Sequence, residues 1–207
     1  MAKYKIENQY RKDIFNKMKM DLVPGRKILD IGCGDGQDLE VFKMYYKLEV
    51  YGVDTFKNPP VEKKYKYKMA SIYKLPFSKG YFDYVFLHNV LHHIDEPKQR
   101  MKMYSLAMKE IKRVTKKNGK IFILEGNRYN PLFYPHMVKM EGHNHFGHQF
   151  FKKILKKNFQ EYTISYFEAH YYPPRFLPIF KIYEWIMDIF VPPIFRAYNF
   201  GVIKNVK

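Results

Sequence analysis

Three glycines at alternate positions, Gly32, Gly34 and Gly36, follow directly on the apolar run Ile28-Leu29-Asp30-Ile31. Where a buried strand turns into a helix, glycine lets a ligand approach the backbone closely, and the helix start offers unpaired N–H groups. Asp54 closes the next apolar run, about twenty residues on, where a carboxylate is placed to accept the ribose hydroxyls of a nucleoside. A dinucleotide fingerprint would need glycine at position 37, and this chain has Gln37. The remaining residues with chemistry are histidines. His92 and His93 are adjacent, and His136, His143, His145 and His148 crowd the segment HMVKMEGHNHFGH. Imidazole is the side chain suited to acid-base work near neutral pH.

These residues need a frame, and the hydrophobic pattern supplies one. Ile6 to Met20 reads as an opening helix, and Pro24-Gly25 as a turn into the strand KILDI, 27–31. A helix from about Gln37 to Tyr46 leads to a second strand, LEVYGVD, 48–54. YKYKMA (65–70) is a weaker third strand, FDYVFLH (82–88) a fourth and KIFILE (120–125), after an Asn118-Gly119 turn, a fifth. Met101 to Val114 is a helix whose basic residues gather toward its C-terminal end, where they suit the helix dipole. Strand and helix alternating in this way predict an α/β domain, a mostly parallel sheet with helices on both faces. YTISYFEA (162–169) and AYNFGVIKN (197–205) are two closing strands.

Composition narrows the class. A chain of 207 residues suits one domain that buries its own core. The single Cys33 excludes a disulfide framework and a cysteine-based zinc site. No apolar window is long enough for a membrane span and the first residues hold no signal-peptide core, so a cytoplasmic protein is expected. The net charge of +17 calls for an anionic partner such as nucleic acid, a lipid headgroup surface or a phosphorylated substrate. Most of the charge precedes residue 129 and is lysine, which argues against a nucleic-acid grip built on arginine forks. Aromatics run the other way, at about 14% before residue 129 and about 25% after it.

The glycine triad, with Asp30 two residues before its first member, resembles motif I of the class I S-adenosylmethionine (SAM) methyltransferases. LPF at 75–77, FDYV at 82–85, VLHHIDEP at 90–97 and EIKRVTKKNGKIFILE at 110–125 are similar to its small-molecule, quinone-methylase-like branch, so the resemblance covers residues 25–127. It implies a single Rossmann-like domain over 1–207 with a seven-stranded sheet in the order 3-2-1-4-5-7-6, strand 7 antiparallel, and SAM as cofactor. Carried over by position, Asp30, Gly32, Cys33, Gly34 and Gly36 surround the methionine moiety, Asp54 binds the ribose, and Ser71 and Ile72 stand on the adenine side. His88 approaches the sulfonium. The family commonly has Asp where this chain has Ser71, which puts that one adenine contact in doubt.

The acceptor side is less defined. Segments 128–150 and 170–195 would form substrate loops and a lid, with His145 and His148 as candidate catalytic bases facing the acceptor. His143 and His145 with Glu141 could ligate a metal, but SAM transfer needs none, and no metal site is assigned. Between the Pro173-Pro174 and Pro192-Pro193 pairs there is room for one helix of about 14 residues, roughly 20 Å, too short to cross a bilayer. Its polar residues Lys181, Glu184 and Asp188 form one narrow stripe, and the rest is apolar. It could be a lid, a membrane contact or a dimer contact. The reading is methyl transfer to oxygen or an activated ring carbon of a small or lipidic acceptor, with an anionic membrane surface as a further partner. The alternatives are an RNA methyltransferase and a non-catalytic SAM-binding scaffold.

Overall fold

The computed structural model describes residues 2–57, 64–96, 98–140, 142, 145–170 and 176–206. Seven strands form one sheet: β1 (Lys27–Ile31), β2 (Glu49–Asp54), β3 (Lys66–Met69), β4 (Phe82–His88), β5 (Thr115–Gly126), β6 (Glu161–Phe167) and β7 (Tyr198–Lys204), in the order β3-β2-β1-β4-β5-β7-β6. The first five run parallel, and β7 lies antiparallel to both β5 and β6. This is the sheet that the resemblance implies, reversed strand included.

Alternation along β1 divides the core. Ile28 faces a layer with α1 (Ala2–Met18) and α2 (Gln37–Met44), built on Ile14, Phe15, Leu39 and Phe42. Leu29 and Ile31 face the opposite layer, where α3 (Met101–Val114) and α4 (His148–Asn158) contribute Tyr104, Met108, Ile111, Phe151 and Leu155. Side chains at successive strand positions point to opposite faces, so a five-residue apolar strand with both faces covered reads as a continuous run.

Three departures from the sequence expectation bear on the site. The fifth strand begins at Thr115, not at Lys120, because Phe82 pairs with Thr115 before the register shifts and Tyr84 pairs with Lys120. Asn118, at φ +61°, sits in this bulge and its N–H donates to the carbonyl of Asn205. Second, the expected loop 128–150 contains a π-helical turn, Tyr134–Met140, and the start of α4 at His148. Third, the opening helix ends at Met18, and Lys19 takes φ +47°. The helix between the proline pairs is present as α5 (Leu177–Phe190), 14 residues long. Pro192 is described, while Pro173 and Pro174 lie outside the described residues.

Candidate functional site

The glycine turn caps the C-terminal end of β1. Gly32, Gly34 and Gly36 all have positive φ, +75°, +50° and +81°. At Gly32 two constraints coincide, since a Cβ there would also stand 2.4 Å from Cγ2 of Val90. A Cβ at Gly34 would meet nothing within 4 Å, so this part of the turn is open to an incoming group. The N–H groups of Gly32 and Cys33 donate to the carbonyl of Val53, which straps the turn to β2. Asp54, at the end of β2, completes it: Oδ2 accepts from the Gly34 N–H at 2.9 Å and Oδ1 from the Thr55 N–H at 2.6 Å.

In front of the turn lies a cavity of about 580 Å³. Of the residues named from sequence, Gly32, Gly34, Asp54, Ser71 and Ile72 line it. His93, named in the sequence only as one of an adjacent histidine pair, also lines it, as do Phe56, Tyr73 and Asn89, which sequence reasoning did not single out. Asn89 carried a signal, because it directly follows the strand run that ends at His88, and it holds φ +55°. A mostly apolar cavity with the Asp54 carboxylate beside the glycine turn and Asp95 also in its lining suits a nucleoside whose base is buried and whose ribose hydroxyls are bound.

The other expected cofactor residues stand behind the wall. Asp30 is fully buried, and burial together with the charges of Asp38 and Asp54 pushes its carboxyl well above the usual range. Cys33 points its sulfur at Gly52, where an added Cβ would lie 2.8 Å away, and burial pushes the thiol up. Gly36 caps α2. His88 is turned toward α2: its Nδ1 is 2.8 Å from Oδ2 of Asp38. Asp38 is buried, which opposes ionisation, yet the Arg11 guanidinium and His88 hold it well below the ordinary carboxylate range. With Asp38 ionised, Nδ1 of His88 donates and Nε2 is left as the basic nitrogen.

The two histidines expected to face an acceptor are placed elsewhere. His145 is 3% exposed and its ring lies 4.1 Å from that of His92. It borders a separate hollow of about 340 Å³ with Arg128, Tyr129 and Lys153. His148 begins α4; burial and then the charge of Lys152 lower its pKa. Neither lines the cavity described above. Beside His145, Nδ1 of His92 is 2.9 Å from Oε2 of Glu125, and Oε1 of Glu125 accepts the N–H groups of Val90 and Leu91 at 2.9 and 2.6 Å. Among the described residues His92, Glu125 and His145 are the three whose ligand atoms fall within 4.8 Å, close enough for a metal. Both oxygens of Glu125 are already engaged, and they fix the Leu91–His93 turn next to the cavity. Glu141 and His143 lie outside the described residues.

From His88 a file of rings leads away from the glycine turn. Centroids are 6.2 Å apart for His88 and Tyr198, 5.4 Å for Tyr198 and Phe133, 5.3 Å for Phe133 and His170, and 5.4 Å for His170 and Tyr183 of α5. Burial, above all, pushes the Tyr198 hydroxyl up to about 12, and the hydroxyl pairs with that of Tyr10. Buried polar groups flank the far end of the file: Glu168 receives hydrogen bonds from Asn130 at 2.9 Å and pairs with His170 at 2.5 Å.

Residues 29–123 match the family described as a methyltransferase domain. An uncharacterized methyltransferase of Schizosaccharomyces pombe is 33% identical over 126 residues, 53% of this chain and 43% of that protein. A malonyl-[acyl-carrier protein] O-methyltransferase of Legionella pneumophila is 27% identical over 124 residues, 56% of this chain and 41% of that protein. The chain thus spans less than half the length of either relative. In fold it is similar to the crystal structure of a SAM-dependent methyltransferase from Archaeoglobus fulgidus, with a TM-score of 0.69 at 18% identity, covering 95% of this chain and 94% of that one.

Proposed function

We propose that the chain is a class I, Rossmann-like SAM-dependent methyltransferase that binds SAM and transfers its methyl group to a small or lipidic acceptor, a reading supported by the methyltransferase-domain match over residues 29–123 and by the fold. One observation carries the reading: the open face at Gly34 and the Asp54 carboxylate hydrogen-bonded to it meet at the rim of a largely apolar cavity of about 580 Å³.

SAM supplies an electrophilic methyl on a sulfonium, and its transfer needs an aligned nucleophile more than covalent help from the protein. Asp54 retains lone pairs for ribose hydroxyls beyond the bonds it makes to Gly34 and Thr55. Ile72 and Phe56 offer apolar walls, and Ser71 a hydroxyl, to the base. We place the acceptor beside Asn89 and His88, along the ring file, with His88 as the base held by Asp38. This position is preferred to those of His145 and His148 because His88 directly precedes Asn89, which lines the cavity. The proton leaving an acceptor hydroxyl passes to Nε2 of His88 while Asp38 stabilises the imidazolium.

Oxygen or an activated ring carbon is the atom methylated in this reading, and the similarity to the Legionella O-methyltransferase supports oxygen. The test is incubation with isotopically labelled SAM and candidate acceptors, with mass spectrometry locating the new methyl. Label on oxygen or carbon is the expected result; label on nitrogen overturns the choice of atom, and failure to bind SAM overturns the proposal.

A further inference from the structure

Helix α5 is turned inside out for a helix facing water. Of its charged residues Lys181, Glu184 and Asp188, Glu184 is buried against the body with Met187 and pairs with Lys17 of α1 at 3.3 Å, while Lys181 and Asp188 stay exposed. Its large apolar residues point outward: Ile179, Ile182, Trp185, Ile186, Ile189 and Phe190 are between 41 and 69% exposed. A polar outer face costs nothing on a helix that solvent covers, whereas this face leaves a contiguous aromatic and aliphatic patch in water. Such a face suits an apolar partner.

Charge decides between the two simplest occupants. A second copy would bring together two chains of net charge +17, which repel. A bilayer with acidic headgroups attracts the same charge and accepts the same apolar face. No helix among the described residues is long and apolar enough to cross a membrane, and 14 residues lying flat span about 21 Å of its surface. Trp185 and Phe190, whose rings meet edge to face at 5.8 Å, are the residue types that settle at the boundary between headgroups and acyl chains.

We propose that α5 seats the protein on an anionic lipid surface, and that the acceptor is an amphiphile drawn from that surface along the rings of Tyr183, His170, Phe133 and Tyr198 toward His88. The second half rests on the methyltransferase reading above; the first stands without it. The inward side of α5 begins the ring file at Tyr183, so the helix that would meet lipid on one side touches the file on the other.

Trp185 is the sole tryptophan, which makes it a native probe of this face. Its fluorescence should shift to the blue and become protected from acrylamide when vesicles of equimolar phosphatidylglycerol and phosphatidylcholine are added, and much less with phosphatidylcholine alone. The exposed double variant Ile182→Asp, Ile186→Asp should partition roughly tenfold less while binding SAM as tightly as the parent, which also shows that it is folded. No shift on anionic vesicles, an equal shift on both vesicle types, or a shift produced merely by concentrating the protein, with a dimer in sedimentation, overturns the proposal. Vesicle binding without SAM binding would overturn the methyltransferase reading alone, and SAM binding without vesicle binding the membrane proposal alone.

Discussion

Nδ1 of His88, at the end of β4, lies 2.8 Å from Oδ2 of Asp38, in the first turn of α2. The bond orients the ring beside Asn89, which lines the cavity, and leaves the far nitrogen available. Replacement of His88 by Ala is expected to lower the rate of methyl transfer by about 100-fold or more, the usual worth of a positioned base, while SAM affinity changes little. Asp38→Asn should give a smaller loss of rate. Steady-state kinetics alongside a SAM titration checks both; an unchanged rate in the His88 variant would remove it from the mechanism.

Asp30 makes a pH prediction of definite sign. Its carboxyl is pushed up by burial, so the folded chain keeps a proton that the unfolded chain releases near pH 4. The folded state therefore binds more protons above that pH, and stability falls as pH rises from about 4 through the folded-state value. Asp30→Asn, which cannot titrate, is expected to flatten this decline in denaturant midpoints measured from pH 4 to 8. A parallel decline in the variant would contradict the assignment.

Glu125 should act as a brace. Glu125→Ala leaves two buried N–H groups, of Val90 and Leu91, without their acceptor and is expected to cost about 3 kcal/mol of stability, at the usual 1–3 kcal/mol for each such group. Glu125→Gln keeps an acceptor and should cost less. Thermal unfolding distinguishes them, and elemental analysis of the purified protein checks the alternative use of this group. Stoichiometric zinc lost in the Ala variant would make it a metal centre instead.

The positive charge should not hold RNA under cellular conditions. Binding to mixed RNA is expected to weaken steeply with salt and to be negligible at about 0.15 M, because scattered lysines give only nonspecific phosphate contacts. Tight binding surviving at that salt would favour an RNA acceptor.

Much of this was legible in the sequence. The runs KILDI and FDYVFLH coincide with β1 and β4, because strands covered on both faces are apolar at most successive positions rather than at alternate ones. The glycine turn and Asp54 were legible because backbone approach and a strand-end carboxylate have fixed spacing. Helix α4 carries its signal in Phe151, Ile154 and Leu155, but the histidine- and glycine-rich stretch before it reads as loop. The position of His145 was not legible. Nothing in a periodicity reveals that it will stack on His92, whose partner Glu125 is 33 residues further along the chain. Asp38 likewise reads as a solvated helix charge until the sheet brings His88 and the opening helix brings Arg11 against it.

The central claim is that SAM occupies the cavity rimmed by Gly34 and Asp54, and isothermal titration tests it most directly. Saturable one-to-one binding of SAM and of S-adenosylhomocysteine is expected, weakened roughly thirtyfold in Asp54→Ala, as loss of a hydrogen bond to a charged group worth about 2 kcal/mol implies. Absence of binding by the folded protein, or undiminished affinity in the Asp54 variant, would contradict the account.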